Sequence, residues 1–414
     1  RLVERSIEGI ETRLIGREEE LQTLKQAVNE AKEQGIHRTI FIVGEAGVGK
    51  SRLLYELENW LELLPEYIFY YRGRASPYLQ KQPYSLARDV FSTRFQIQDS
   101  DPLETVRQKM EQGIGDEEAA HFIGQLLGFD FSDSPHLLPV KSDSKVFHQR
   151  ALEHLTRYFR SQARMNPVVI LLEDLHLADD PSLDLLEMVS GPFEGQRLLI
   201  IAAARPRLFE RRPEWIEGRD SWLIMKLGPL SEAESRRLAD EILQKLDPVP
   251  DRLRRLLVDS AEGNPYYMEE LVKMLLEEEV ILRDGDRWQV DLTRLSSVHV
   301  PSTLTEMIQA RYDSLPQEER LLLQPAAVVG RIFWDQAVAY IYNHSAELKV
   351  FSRTADEISQ RLDQLRKREI IYAREQSTFE NSKEYVFRHA LFRDVIYESV
   401  LRRVRRDYHA LAAR

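Results

Sequence analysis

The sequence of 414 residues contains no cysteine. This excludes disulfide staples, thiolate nucleophiles and cysteine-ligated zinc, and it suits a reducing compartment, so a cytoplasmic location is expected. Long hydrophobic runs are missing too. The longest, such as Leu198 to Ala204, fall far short of the ~20 residues a membrane helix needs, and no membrane role is expected. Arg1-Leu2-Val3-Glu4-Arg5 leads into acidic residues, unlike the apolar core of a secretory signal. Positive charge is in deficit: 57 Lys and Arg face 68 Asp and Glu, a net charge of −11. That balance argues against a protein whose main task is coating nucleic acid. Internal repeats and low-complexity segments are absent as well.

What is present is the apolar content of an ordinary globular protein, 43%, in a chain too long for one core; roughly two to four domains are expected. The first residue is Arg, and Leu401 to Arg414 read as a helical pattern without a terminating glycine or proline. We therefore expect a segment of a longer chain, with effector and sensor domains in the flanking parts and a helical-repeat sensor after Arg414.

The most specific signal is Gly44-Glu45-Ala46-Gly47-Val48-Gly49-Lys50-Ser51, followed by Arg52 and preceded by the apolar run Ile40-Phe41-Ile42-Val43. This is a complete P-loop between a strand and a helix. Its glycines let backbone N–H groups close around phosphates, Lys50 adds a point charge near the β- and γ-oxygens, and the Ser51 hydroxyl can ligate magnesium. ATP or ADP with Mg2+ is the expected ligand.

Around this loop the pattern is α/β. A helix with Leu21, Leu24, Val28 and Ala31 on one face ends at Gly35, and the P-loop helix is expected over Lys50 to Leu64, stopped by Pro65. Further strands are expected at Tyr67 to Tyr71, Val168 to Leu172, Leu198 to Ile201 and Trp222 to Leu227, with a mostly helical stretch over 84 to 164. Asp180 is expected to cap the helix after the second of these strands, with Pro181 in its first turn, and Asp179 beside it reads as a capping residue too. Strands apolar on both faces and separated by helices imply a parallel sheet covered on both sides. From Ser231, which forms a capping box with Glu234, the chain turns helical. An Asp284-Gly285 turn marks a hairpin within 282 to 290. The last hundred residues read as three helices, a hairpin of Ile370-Ile371-Tyr372 with Tyr385-Val386-Phe387, and a final helix, which suggests a winged helix. The expected domains are 1–228 (P-loop), 229–281 (helical lid), 282–300 (hairpin linker) and 301–414 (winged helix).

Other candidate residues divide by how well a bland explanation serves them. Glu173-Asp174 end an apolar strand, where one carboxylate can hold a magnesium-bound water and the other can polarise an attacking water. Arg205 follows the next strand and is placed to contact a γ-phosphate. His176 reads equally as structural or functional. Gly263-Asn264-Pro265 is explained by helix stop, cap and first turn, and His389 alone would be an ordinary junction residue. Arg402, Arg403, Arg405 and Arg406 are interleaved with acids and fit a solvated helix face.

Together, Ile15-Gly16-Arg17-Glu18, Gly44 to Ser51, Leu172-Glu173-Asp174-Leu175-His176-Leu177-Ala178-Asp179, Ala204-Arg205-Pro206, Glu262-Gly263-Asn264-Pro265-Tyr266 and Phe387-Arg388-His389-Ala390-Leu391 resemble the signal-transduction ATPases with numerous domains (STAND), AAA+-related P-loop proteins. They resemble in particular the bacterial modules of maltose-regulator-like activators and of cyclase-associated proteins. The resemblance spans nearly the whole chain. It implies a slow ATPase acting as a nucleotide-dependent switch, with self-association driven by nucleotide and an output in transcription or signalling. It further implies that Ile15 and Gly16 help enclose the adenine, Pro265 packs near the base, Arg205 senses the γ-phosphate and His389 touches the β-phosphate of ADP. Ser51 and Glu173 are read as the metal set, although this chain has Glu-Asp where many relatives have Asp-Asp, which leaves open how the two carboxylates divide their work. A second departure is Leu177, where relatives usually carry tryptophan. Competing readings are a DNA-binding AAA+ initiator or loader of the origin-recognition type, a small-molecule kinase, and a scaffold that never hydrolyses its nucleotide. Frequent acids in the last hundred residues disfavour DNA binding by this segment.

Overall fold

Apolar runs closed at their C-terminal ends by glycine, arginine or acidic residues become the strands of a parallel sheet in the computed structural model, which describes residues 6–7, 10–76, 79–191, 197–216, 221–284, 287–345, 347–348, 354–374, 377–379 and 381–413. The chain divides into two units, residues 14–229 and residues 1–13 with 230–414. A short antiparallel pair, β1 (Ser6–Ile7) with β2 (Ile10–Glu11), opens the chain.

The unit 14–229 begins with α1 (Glu18–Gln34), which ends at Gly35 in the left-handed region. There follow β3 (Arg38–Val43), α2 (Lys50–Glu62) and β4 (Phe69–Arg74). The helical stretch resolves into α3 (Ser85–Phe95), α4 (Leu103–Ile114), α5 (Glu117–Leu126) and α6 (Ser144–Met165). Next come β5 (Val168–Glu173), α7 (Asp180–Val189), β6 (Leu198–Ala204), the single turn α8 (Leu208–Arg211) and β7 (Trp222–Lys226). All five strands are parallel, in the order β4-β5-β6-β3-β7. Alternation separates two faces. Ile40, Ile42, Val169, Leu171, Leu199 and Ile201 pack with Leu24 and Val28 of α1 and Leu53 and Leu57 of α2. Phe41, Ile170, Leu172, Ile200 and Ala202 pack with Val90, Phe91, Phe122, Leu155 and Leu183 of the helices on the opposite face. Register puts Val43 level with Ala204 and Lys226, and Arg74 level with Glu173. The carboxyl ends of the strands therefore form one edge, and at this edge the candidate residues emerge.

One expectation within this unit is corrected. Asp179, not Asp180, caps α7: its buried carboxylate accepts from the Ser182 N–H (2.8 Å) and hydroxyl (2.7 Å). The same carboxylate accepts from the Tyr84 N–H (2.8 Å), the Ser85 N–H (3.0 Å) and the Ser85 hydroxyl (2.8 Å) at the start of α3. Asp180 instead reaches out to Arg211 at 2.8 Å. One carboxylate thus fixes the starts of two helices. Asp179→Ala strands buried donors and is expected to lower unfolding free energy by about 2–4 kcal/mol, against less than about 1 kcal/mol for Asp180→Ala, as read by urea denaturation.

In the second unit, the Ser231–Glu234 capping box opens α9 (Glu232–Ile242), followed by α10 (Asp251–Ala261) and α11 (Pro265–Glu277). Asn264 caps α11 by accepting from Tyr267 N–H at 3.2 Å, with Pro265 in the first turn. The hairpin arms are β8 (Ile281–Asp284) and β9 (Arg287–Val290); Gly285 of the expected Asp-Gly turn lies outside the described residues. Then come α12 (Leu292–Ser297), α13 (Leu304–Ser314), α14 (Gln317–Val329), β10 (Ile332–Trp334), α15 (Asp335–His344), α16 (Ala355–Lys367), β11 (Ile371–Ala373), β12 (Glu384–Phe387), α17 (Ala390–Ser399) and α18 (Arg402–Ala412). The expected two-stranded hairpin is a three-stranded antiparallel sheet, β10-β12-β11. The expected final helix is two, parted at Val400 and Leu401 by extended backbone. Tyr266 of α11 belongs to the same buried cluster as Ile308, Leu322, Phe333, Phe387 and Ile396. The expected class, an α/β P-loop domain with a parallel sheet followed by helical parts, is the class observed. Among the described residues no helix is long and apolar enough to cross a membrane.

Candidate functional site

The P-loop joins β3 to α2 and needs glycine for two distinct reasons. A Cβ on Gly44 would lie 2.6 Å from the Leu227 carbonyl oxygen and 2.8 Å from Val48 Cγ2, so only hydrogen fits. Gly49 stands at φ 102°, a left-handed conformation that releases the chain into α2 with no side-chain cap. The N-terminus of α2 is thereby left as a ring of backbone donors, the arrangement that receives phosphate. Arg17, buried, braces the loop from behind. Its guanidinium donates to the carbonyl of Val48 (3.3 Å) and to that of Gly228 just past β7. Ile15 is half-buried and Gly16 buried beside it. Ser51 is exposed at the helix start, and Arg52 pairs with Glu56 at 2.7 Å.

Lys50 folds back over the loop, donating to the carbonyls of Gly44 (2.8 Å) and Glu45 (2.7 Å). Burial, followed by the positive Arg205, pulls its pKa down to about 8, while Asp174 and Glu45 oppose the fall. Lys50, Asp174 and Arg205 therefore share one electrostatic environment at the carboxyl edge of the sheet.

Glu173 is turned to other partners. Its buried carboxylate accepts from Arg72 Nη2 at 2.6 Å and from Arg74 Nη2, both on the neighbouring β4. Arg72 also meets Glu58 of α2 at 3.2 Å. Asp174 takes a left-handed φ of 55°, which swings the chain out of the sheet, and pairs with Arg74 Nε at 3.3 Å. Register produces this arrangement: Arg74 lies opposite Glu173 in the parallel ladder. The sequence reading missed Arg17, Arg72 and Arg74. An available signal for the latter two was the Arg-Gly-Arg ending of an otherwise apolar strand, but its partner lies 99 residues away.

His176 is buried, and its Nδ1 accepts the Arg205 backbone N–H at 3.3 Å. Burial drives its pKa down to about 3, so the ring stays neutral and keeps that lone pair. Of its two readings the structural one fits: His176 ties the turn after β5 to the end of β6 and sets where Arg205 leaves the sheet.

The remaining candidates lie in the other unit. Pro265 starts α11, and the His389 ring stacks on Tyr266 with centroids 3.8 Å apart. The Glu270 carboxylate acts on His389.

Residues 13–201 match the family model described as an AAA ATPase domain. An uncharacterized protein of Rhizobium meliloti (strain 1021) is 25% identical over 413 residues, covering 96% of this chain and 36% of that one. Among solved structures, the STAND protein with a tetratricopeptide repeat sensor from Pyrococcus horikoshii is similar at 13% identity and TM-score 0.47, over 98% of this chain and 46% of that one. The Aeropyrum pernix ORC1 protein in complex with DNA is similar at 15% identity and TM-score 0.40, over 94% of each chain. The chain spans about a third of the length of the bacterial relative and less than half of the Pyrococcus protein. On the family match and the phosphate-binding loop together, residues 13–201 carry an AAA ATPase domain built around a P-loop.

Proposed function

We propose that the chain is an ATP- and ADP-dependent switch of the STAND kind, in which slow hydrolysis sets a conformation instead of supplying product. The observation that carries this reading is the convergence of Lys50, Asp174 and Arg205 on one edge of the sheet, beyond a loop where a Cβ cannot be admitted. The donor set fits the ligand: backbone N–H groups and Lys50 for phosphates, and a hydroxyl with a carboxylate for magnesium. When bound, Mg2+ supplies charge neutralisation across the phosphates. Within the acidic pair we assign the metal to Asp174 with Ser51, because Glu173 is already neutralised by Arg72 and Arg74. Glu173 in that setting orients water only if one of those arginines lets go.

Arg205 is assigned to the γ-phosphate. Its like charge weakens Lys50's hold on a proton, and a γ-phosphate between the two cations relieves that repulsion. ADP offers no such relief, so ligand identity biases the state of the protein. By family resemblance, Pro265 and His389 report the base and the β-phosphate. The cytoplasm, flanking effector and sensor domains, and nucleotide-driven self-association belong to the same proposal. Arg205→Ala is expected to bring ATP affinity to within about threefold of ADP affinity while leaving ADP binding unchanged, as measured by titration calorimetry with Mg2+. Equal loss of both ligands would remove the sensor role. The nucleotide retained on purification is the direct test of the whole reading: tightly held ADP supports the switch, and protein with no affinity for ATP or ADP refutes it. Salt-dependent duplex binding would favour the origin-recognition reading instead.

A further inference from the structure

We infer that the helical layer of the unit 14–229 holds a structural zinc site made by Glu117, His121 and His136. The sites discussed above play no part in it. Glu117 and His121 stand four residues apart on α5, so both side chains leave the same face one turn from each other. His136 comes from the loop after α5. One ligand atom from each of the three lies within 4.8 Å of the others, and His136 Nε2 is 3.4 Å from Glu117 Oε1. Two ligands on a tetrahedral zinc, each about 2.0–2.1 Å from the ion, stand about 3.3 Å apart, so that pair is at ligand spacing and the third lies within 4.8 Å of both.

The surroundings prepare His121 for this role. Its ring is fixed by contacts at both nitrogens, Nδ1 with the buried Ser134 hydroxyl at 2.6 Å and Nε2 with Glu111 Oε1 at 2.8 Å. Ser134 Oγ also accepts the His136 N–H at 3.2 Å, so one hydroxyl organises both imidazoles. The Phe131 ring, 4.9 Å from that of His121, closes one side. Glu111, on α4, borders the group without belonging to it, and water completes the coordination. Two imidazoles with a carboxylate, in a chain without cysteine, form a donor set that suits zinc over magnesium or calcium. The ion takes one nitrogen lone pair from each imidazole, the ring proton staying on the other nitrogen, and joins α5 to the following loop.

The test uses the full 414-residue chain, stripped with chelator and titrated with zinc chloride alone by calorimetry. Expected is one zinc bound tightly per chain, together with a raised melting temperature. His136→Ala and Glu117→Gln alter half-exposed or exposed side chains, so both fold; each is expected to weaken zinc binding, at least ~100-fold for the imidazole and at least ~10-fold for the carboxylate. Cobalt(II) provides a second readout, with the strong visible absorption of a four-coordinate ion that is lost in His136→Ala. Absence of zinc binding by the unaltered chain overturns the inference. So does zinc binding equally strong in both variants, or the weak absorption of six-coordinate cobalt.

Discussion

Lys50→Ala is expected to weaken ATP and ADP binding at least about 100-fold, which corresponds to losing about 2.8 kcal/mol or more. Among the described residues its ammonium donates to two backbone carbonyls, those of Gly44 and Glu45, and forms no ion pair, so its removal leaves no buried charge unpaired. The melting temperature of the ligand-free chain should therefore stay nearly unchanged, which separates a binding defect from a folding defect. The electrostatics of the site add a pH signature. Burial, followed by repulsion from Arg205, brings the Lys50 pKa down to about 8. Below that value the side chain carries its charge, and above it the charge is lost. Affinity is accordingly expected to be level from pH 6 to 7.5 and to fall as pH rises through about 8, with the fall displaced upward in proportion as bound phosphate restores the proton. In Arg205→Ala, the repulsion is gone and the decline should begin at higher pH. A decline at the same pH in both proteins would show that the two cations do not communicate.

Such coupling was only partly legible in the sequence. The P-loop is contiguous, and its strand and helix follow at once, so the motif and its context are read together. The runs of β5 and β6 are apolar on both faces because both faces are covered, and this identified the parallel sheet. Elsewhere the deciding contacts are separated along the chain. Glu173 reads as a free acid at a strand end until the ladder sets Arg74 beside it. Asp179 and Asp180 are neighbours of one type, and only the packing of α3 against α7 shows which is the cap. The three-residue strand β10 is too short for alternation to register and runs directly into α15. Glu117-x-x-x-His121 is visible as a spacing, but His136 completes it only once the loop returns to α5.

The largest loss of stability is expected where the sequence reads least remarkably. In α11 the side chains Tyr266, Tyr267, Met268, Leu271, Val272, Leu275 and Leu276 are buried, so the helix is apolar nearly all round, yet Glu270 and Lys273 are buried with them. Glu270 is fully enclosed. It accepts from Arg311 of α13 and, at 3.0 Å, from Lys273. Lys273 also meets Glu369 at 3.4 Å, Glu369 binds Arg388 at 2.6 Å, and Arg311 donates to the Arg368 carbonyl at 2.7 Å. Burial alone would push the Glu270 carboxyl up; Arg311, then Lys273 and His389, reverse this and hold it well below the usual carboxylate range. Removing one member leaves the others charged and without water. Glu270→Ala or Arg311→Ala should each cost about 3–5 kcal/mol at pH 7, a large share of a typical domain stability of about 5–15 kcal/mol. The pH dependence has a definite sign. A carboxylate with a depressed folded pKa contributes its full stabilisation above its unfolded pKa of about 4.3 and loses it as pH falls toward the folded value. The unaltered chain should therefore lose stability progressively below about pH 4.5, and Glu270→Ala should show a smaller loss over the same range. Replacing Glu270, Lys273 and Arg311 together by methionine should recover most of what either single change loses, since the cost lies in the unpaired charge more than in the missing pair. The measurement is urea denaturation from pH 3 to 7. A cost below about 1 kcal/mol for Arg311→Ala would mean that water reaches the site in the native state. Because the Glu270 carboxylate acts on His389, and Tyr266 of the same helix stacks on that ring, Arg311→Ala should also disturb any nucleotide response that depends on His389, even under conditions where the variant remains folded.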